Sequence, residues 1–186
     1  MQILTDEQLL DRVKQNDEAA LELLFRRHFK RLCYFANGIL NDRAIAEEAV
    51  SDIFLNIWLK RGRIKISSSF KAYLFKSVRN QSLNYLQKKR SNIEELEVVE
   101  REGITSSLSP EHFLRVNQLD EEIKAIIGAL PEKRQLIFKM NRIDGLSYGE
   151  IAEILDISIH TVQNQMVKAV KYLLGKRKMI AKLFFL

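Results

Sequence analysis

The chain has 186 residues, 46% of them apolar, and carries 30 Lys and Arg against 24 Asp and Glu for a net charge of +6. That apolar content supports one large or two small ordered domains, and the single cysteine, Cys33, leaves no disulfide framework or thiolate metal cluster available and is expected in the core. No apolar run approaches the roughly 20 residues of a membrane span, and the start MQILTDEQLL lacks the basic and long apolar regions of a signal peptide, so a cytoplasmic protein is expected.

Helical periodicity runs almost throughout, and two prolines and seven glycines leave little room for strands. The expected fold is all-α. Charge divides the chain: residues 1–90 carry 17 Lys and Arg against 10 Asp and Glu, residues 91–112 carry 1 against 6, and residues 113–186 carry 12 against 8. Two small helical domains, 1–90 and 113–186, joined by the acidic, flexible linker 91–112 account for that pattern.

The first informative helix is predicted from Arg43 to Lys60. Ala46, Ala49, Val50, Ile53, Phe54, Ile57 and Trp58 form one broad apolar face that belongs in a core. Away from it, Glu48, Asp52, Leu55 and Leu59 recur at four, three and four. Two leucines beside two acids fit a surface for another protein's helix, although scattered surface leucines are common. A loop follows, RGRIKISSSF, in which Arg61, Arg63 and Lys65 could meet phosphates.

A long helix is predicted from about Ser69 to Arg90, burying Leu74, Phe75, Val78, Tyr85 and Leu86. Its outward stripe, Tyr73, Lys76, Asn80, Asn84 and Gln87, is flanked by Arg79, Lys88, Lys89 and Arg90. Amides can hydrogen-bond exposed base edges while an aromatic ring supplies a stacking face, so the stripe suits unpaired nucleic acid. A solvated surface has a similar composition, and the stripe alone leaves both readings open.

Residues 145–174, GLSYGEIAEILDISIHTVQNQMVKAVKYLL, predict a helix-turn-helix. Ser147 stands three residues before Glu150 and can form a capping box. Ile151, Ile154 and Leu155 mark the buried face, Asp156 can take the left-handed turn, and Ser158 can cap a second helix. In that helix Ile159, Val162, Met166, Val170 and Leu173 are expected inside. His160, Thr161, Asn164, Lys168 and Lys171 then face outward, short polar groups first and lysines later, as suits bases and phosphates of the major groove. The apolar end, MIAKLFFL, is expected to finish the last helix and pack on its own domain.

No nucleophile constellation, phosphate-binding glycine loop or metal cluster is apparent, and His28, His112 and His160 fall in unrelated elements. Neither an enzyme nor a cofactor or small-molecule substrate is expected.

The order of these elements resembles the sigma factors of bacterial RNA polymerase, specifically the extracytoplasmic-function (ECF) type of the sigma-70 family, over nearly the whole chain. NDEAALELLFRRHFKRLCYFANGILNDRAIAEEAVSDIFLNIWLK is similar to the start of region two and its polymerase-binding helix. KAYLFKSVRNQSLNYLQKKR resembles the helix that melts and reads the promoter −10 element, and LPEKRQLIFKMNRIDGLSYGEIAEILDISIHTVQNQMVKAVKYL resembles region four, which reads the −35 element. The resemblance implies an alternative sigma factor whose partners are core RNA polymerase and promoter DNA.

By that resemblance Glu48, Ser51 and Asp52 meet the clamp helices of the largest polymerase subunit, which fits the acid and leucine stripe, so Leu55 and Leu59 are expected in the same contact. Ser67, Ser68, Ser69 and Phe70 occupy the loop that holds a flipped −10 base, with Tyr73, Lys76, Arg79, Asn80, Asn84 and Lys88 on the adjoining helix. His160, Thr161, Gln163, Asn164 and Lys168 fall at the −35 reading positions, and Ser158 and Lys171 of the same helix are expected beside them at the DNA. The linker is similar to the family's connector along the polymerase RNA path, and analogy implies an anti-sigma factor as a further partner. Gln163 and Gln165 stand where the family often has Lys or Arg, which implies weaker phosphate attraction and a different preferred sequence. A conventional helix-turn-helix regulator or a helical adaptor each account for only part of the chain.

Overall fold

Two Asn-Asp pairs punctuate the N-terminal helices of the chain, whose computed structural model describes residues 4–66, 69–94 and 125–184. Helix α1 (Asp6–Lys14) opens on a capping box, in which Gln8 N donates to Thr5 Oγ1 and Thr5 N donates to Gln8 Oε1. Asn16 then takes a left-handed conformation with φ 69°, and the next residue, Asp17, caps α2 (Glu18–Leu40) by accepting from Ala20 N at 3.0 Å. The same device recurs at Asn41, φ 51°, and Asp42, which caps α3 (Arg43–Leu59). Asn and Asp tolerate that backbone and their short side chains serve as caps, so each pair ends one helix and starts the next within two residues.

Helix α4 (Phe70–Glu94) completes this group and runs past the expected end at Arg90. The core is filled by Leu24, Leu32 and Phe35 of α2, Ala46, Val50 and Ile57 of α3, and Phe70, Leu74, Phe75 and Val78 of α4. Phe35 meets Phe75 and Phe25 meets Phe54 edge to face, each at 5.1 Å between centroids, a favoured aromatic geometry. Tyr85 and Leu86, expected inside, are only half-buried.

Toward the C-terminus a helical turn at 125–128 precedes α5 (Glu132–Arg142), α6 (Tyr148–Leu155) and α7 (Ile159–Phe184). Gly145, φ 71°, makes the turn between α5 and α6, and Asn141 Nδ2 donates to Leu146 O across it at 2.9 Å. Ile137, Met140, Leu146, Ile151, Ile154, Val162, Met166 and Ala169 form the core. The buried Gln135 is satisfied by donating to Ile127 O at 3.0 Å and accepting from Lys139 Nζ at 3.1 Å.

Among the described residues every regular element is a helix, and none is long and apolar enough to cross a membrane. The chain divides into two compact units, Met1–Ser107 and Leu108–Leu186. Residues 95–112 of the expected linker, His112 included, lie outside the described residues, as do the last two residues of MIAKLFFL.

Asp6 joins α1 to α2. Its carboxylate accepts from His28 Nε2 at 2.7 Å and Arg27 Nη1 at 3.1 Å, and Arg27 also donates to Leu4 O. The His28 hydrogen bond, reinforced by its charge and by Arg27, holds the Asp6 carboxyl below its ordinary value against the opposing effect of burial. A carboxylate with a lowered folded-state pKa stabilises the protein above its unfolded-state pKa, and that contribution is lost as pH falls through the folded-state value. Asp6→Asn should therefore cost about 1–2 kcal/mol near pH 7. The difference from wild type in thermal melts should shrink once acid has protonated Asp6 in both folded and unfolded chains.

Candidate functional site

Three outward surfaces carry the candidate residues. On α3, burial of Ala46, Ala49, Val50, Ile53, Phe54 and Ile57 fixes the rotation of the helix and leaves Glu48, Ser51, Leu55 and Leu59 exposed. Leu55 and Leu59 are 55% and 66% exposed. Asp52, half-buried, lies between them and Glu48, with Tyr85 Oη of α4 placed to donate to Asp52 Oδ2 at 3.5 Å. Burial, and then the nearby carboxylates of Glu48 and Asp52, push the Tyr85 phenol above its ordinary pKa. Ser51 Oγ donates back to Glu47 O at 2.8 Å.

Beside this stripe a shallow groove runs between α2 and α3, lined by Leu21, Phe25, Phe54, Leu55 and Trp58 with Glu18 and Glu22. Arg61, read from sequence as a phosphate ligand, has another role. Its guanidinium stacks 4.2 Å over the Trp58 ring, Nε donates to Asn16 Oδ1 and Nη1 to Trp58 O. It ties the α1–α2 turn to the end of α3, and Arg63 and Lys65 remain as the exposed cations of this loop.

On α4, Lys76, Asn80, Asn84, Gln87 and Lys88 are exposed in the expected stripe, with Tyr73 and Arg79 half-buried beside them. The loop before α4 differs from expectation. Phe70 is only 1% exposed, packed edge-on to His28 at 6.2 Å and roughly parallel to Tyr73 at 6.3 Å. It is a core anchor that backs the Tyr73 ring, not a residue free to touch a base. Ser69 Oγ accepts from Ala72 N at 3.2 Å and so caps α4. Ser67 and Ser68 lie outside the described residues.

The third surface is the helix-turn-helix. Ser147 and Glu150 form the expected capping box, and Asp156 ends α6 in the left-handed region, φ 55°. Ser158 Oγ accepts from Thr161 N at 3.0 Å, starting α7, and pairs with Thr161 Oγ1 at 2.8 Å. The hydroxyls of Ser158 and Thr161 are thus engaged with each other. His160, Gln163, Asn164, Lys168 and Lys171 are exposed on one side.

Several positions of α7 depart from the sequence expectation, and Val170 and Leu173, expected inside, are only half-buried. Ile159, assigned inside, is 50% exposed, while Ala169, not singled out, is fully buried. Val167, also passed over, is 67% exposed among the polar residues of the outward side. Its position could have been found, since it stands seven residues after His160 and four before Lys171, on the same face of a helix. Gln165 turns inward and accepts from Arg134 Nε of α5 at 3.1 Å, which makes it a brace of α7.

Comparison with known proteins agrees in both units. Residues 24–92 match the family described as Sigma-70 region 2, and residues 120–173 match Sigma-70, region 4. The ECF RNA polymerase sigma-E factor of Escherichia coli (strain K12) is 26% identical over 174 residues, covering 89% of this chain and 91% of that protein. The protein of the same name from Haemophilus influenzae is 28% identical over 178 residues, covering 89% and 92%. Two solved structures share the fold. CnrH, in complex with the cytosolic domain of CnrY, has a TM-score of 0.53 at 18% identity over 94% of this chain and 97% of that one. The sigma factor RpoE, in complex with the anti-sigma factor NepR from Bartonella quintana, has 0.52 at 21% identity over 84% and 96%.

The cap at Ser158 sets where α7 begins. Ser158→Ala removes that cap, and it should cost about 1 kcal/mol of stability, read as a lower melting temperature of the full chain and faster amide exchange in the first turn of α7.

Proposed function

The chain belongs to the sigma-70 family, as an ECF-type sigma factor that directs promoter-specific transcription initiation, and we propose that it does so through the three surfaces just described. The α3 stripe of Glu48, Ser51, Asp52, Leu55 and Leu59 binds the clamp helices of the largest subunit of core RNA polymerase. The outward stripe of α4, Tyr73 with Lys76, Arg79, Asn80, Asn84 and Lys88, captures unstacked bases and phosphates of the −10 element. Helix α7 enters the major groove of the −35 element with His160, Gln163, Asn164, Lys168 and Lys171.

The observation that carries this reading is the pair of exposed leucines, Leu55 and Leu59, in line with Glu48 and Asp52 on a helix whose other face is fully committed to the core. A regulator that bound DNA alone would have no use for such a face, whereas a partner helix with basic and apolar residues would cover it.

The process needs no chemical step in the protein. Unstacking a base costs about a few kcal/mol, and stacking on an aromatic ring returns about 1–3 kcal/mol per base. Tyr73, held by Phe70 beneath it, supplies the ring, and Asn80 and Asn84 supply donors and acceptors for exposed base edges. The protein is in this reading a binding factor and not an enzyme. Beyond α4, residues 95–112, five acids against one base, join the two DNA-reading domains along the polymerase RNA path.

By analogy with the two structural neighbours, CnrH in complex with the cytosolic domain of CnrY and RpoE in complex with the anti-sigma factor NepR, an anti-sigma protein is the natural inhibitor. Work on promoter DNA places the protein in the cytoplasm.

Asp52→Arg places a cation where the stripe offers a carboxylate. Retention of the full chain on immobilised core polymerase should weaken by roughly 30-fold or more, the equivalent of about 2 kcal/mol. Undiminished retention would exclude the α3 stripe as the polymerase contact.

A further inference from the structure

His28 stands on α2 and is 8% exposed, yet it joins two elements that lie far from it in sequence. Its Nε2 donates to Asp6 Oδ2 at 2.7 Å, in the first turn of α1. Its ring meets Phe70, the first residue of α4, edge to face at 6.2 Å. Phe70 in turn lies roughly parallel to Tyr73, with 20° between the planes and 6.3 Å between centroids. Asp6, His28, Phe70 and Tyr73 thus form one line of contact from α1 through the core to the outward stripe of α4.

The polar end of this line fixes an orientation. Rotation of an imidazole about its terminal torsion is loosely restrained, with two broad wells, and a charged acceptor makes the strong hydrogen bond that selects one of them. Asp6 is that acceptor, its carboxyl held below the ordinary value by the same bond against the opposing effect of burial. It is itself held by Arg27, whose Nη1 reaches Asp6 Oδ1 at 3.1 Å and Leu4 O at 2.8 Å. An aliphatic side chain at position 28 would fill the space without the cost of dehydrating a polar pair. What the pair contributes is the setting of a ring.

The apolar end needs that setting because of where it stands. Phe70 and Tyr73 share the first turn of α4, where Tyr73 N donates to Ser69 O at 3.0 Å, and helix ends fray. Phe70 is 1% exposed, and close-packed interiors pass a displacement on to their neighbours. A turned imidazole moves Phe70, and Phe70 moves Tyr73, three residues further on the same side of the helix.

We infer, taking Tyr73 as the ring that stacks on a −10 base, that Asp6 and His28 are positioning residues for −10 capture: the first helix sets the place of an aromatic ring that belongs to the fourth.

Holoenzyme assembled from core polymerase and the full chain is titrated with a single-stranded oligonucleotide carrying the −10 sequence of a promoter it selects, and with versions made abasic at each −10 position in turn. Tyr73→Ala should weaken binding of the intact oligonucleotide about 5-fold or more and make one abasic version cost nothing further. Asp6→Asn and His28→Ala, which loosen the ring without removing it, should each weaken the intact oligonucleotide about 3-fold. Both should match wild type on the abasic version that Tyr73→Ala identifies, and both should keep wild-type retention on core polymerase. All titrations run well below the melting temperature of each variant, and Asp6→Asn, which keeps the side-chain volume, carries the test if His28→Ala does not fold.

Asp6→Asn that binds the intact oligonucleotide as tightly as wild type, or loses the same factor on intact and abasic versions alike, overturns the inference, since the pair then serves stability alone. Tyr73→Ala for which every abasic version stays as costly as for wild type would instead remove the stacking role of Tyr73 itself.

Discussion

The surfaces of this protein depend on how its helices are started. In the N-terminal unit Asn16 and Asn41 take left-handed backbone and Asp17 and Asp42 cap the next helix at once. In the C-terminal unit Gly145 and Asp156 make the left-handed turn, and Ser147 and Ser158 cap two residues later. With so few residues between helices, the rotational phase of each helix is set in its first turn. A shift of one residue would turn a helix by about 100°, burying Leu55 or Asn164 and bringing core side chains to the surface. The outward stripes are as well defined as the cores because the same caps determine both.

That constraint explains why one small chain can hold three dissimilar faces. Each helix gives the core an arc of Leu, Ile, Val, Ala and Phe and leaves the opposite arc exposed: acids and leucines on α3, amides and an aromatic on α4, amides, cations and two aliphatic residues on α7. Several polar residues near these faces brace them. Arg61 holds the end of α3 against the α1–α2 turn, Arg134 holds Gln165 of α7, and Ser69 caps α4. Reading bases, as proposed for α7, needs a helix positioned within fractions of an ångström, and such cross-helix contacts supply that rigidity.

Much of this was legible in the sequence because caps and apolar periodicity are local signals. The Ser147–Glu150 box, the turn at Asp156, the apolar face of α3 and the core residues Leu74, Phe75 and Val78 of α4 could all be placed from spacing. The misses arose where a residue's environment depends on contacts distant in sequence. Ile159 has the right spacing for the inner face, yet it precedes Val162 by three residues, about 60° short of a full turn, and sits at the margin of the buried arc. Phe70 was assigned to a base by resemblance, whereas His28 of α2 and Tyr73 enclose it. Arg61 is a cation in a basic loop by composition, but only the fold brings Asn16 to it. Gln165 appeared as a lost cation of the DNA face and is instead turned toward Arg134.

The central claim is that one chain gives core polymerase its promoter specificity by reading two separated elements. Transcription in vitro from purified core polymerase and this chain, on a promoter selected by the holoenzyme and on versions scrambled at either element, tests it directly. Transcripts should arise from a fixed start site, require the added chain and fall sharply when either the −35 or the −10 sequence is scrambled. Core polymerase that still fails to initiate at the selected promoter, or initiation indifferent to both elements, would contradict it.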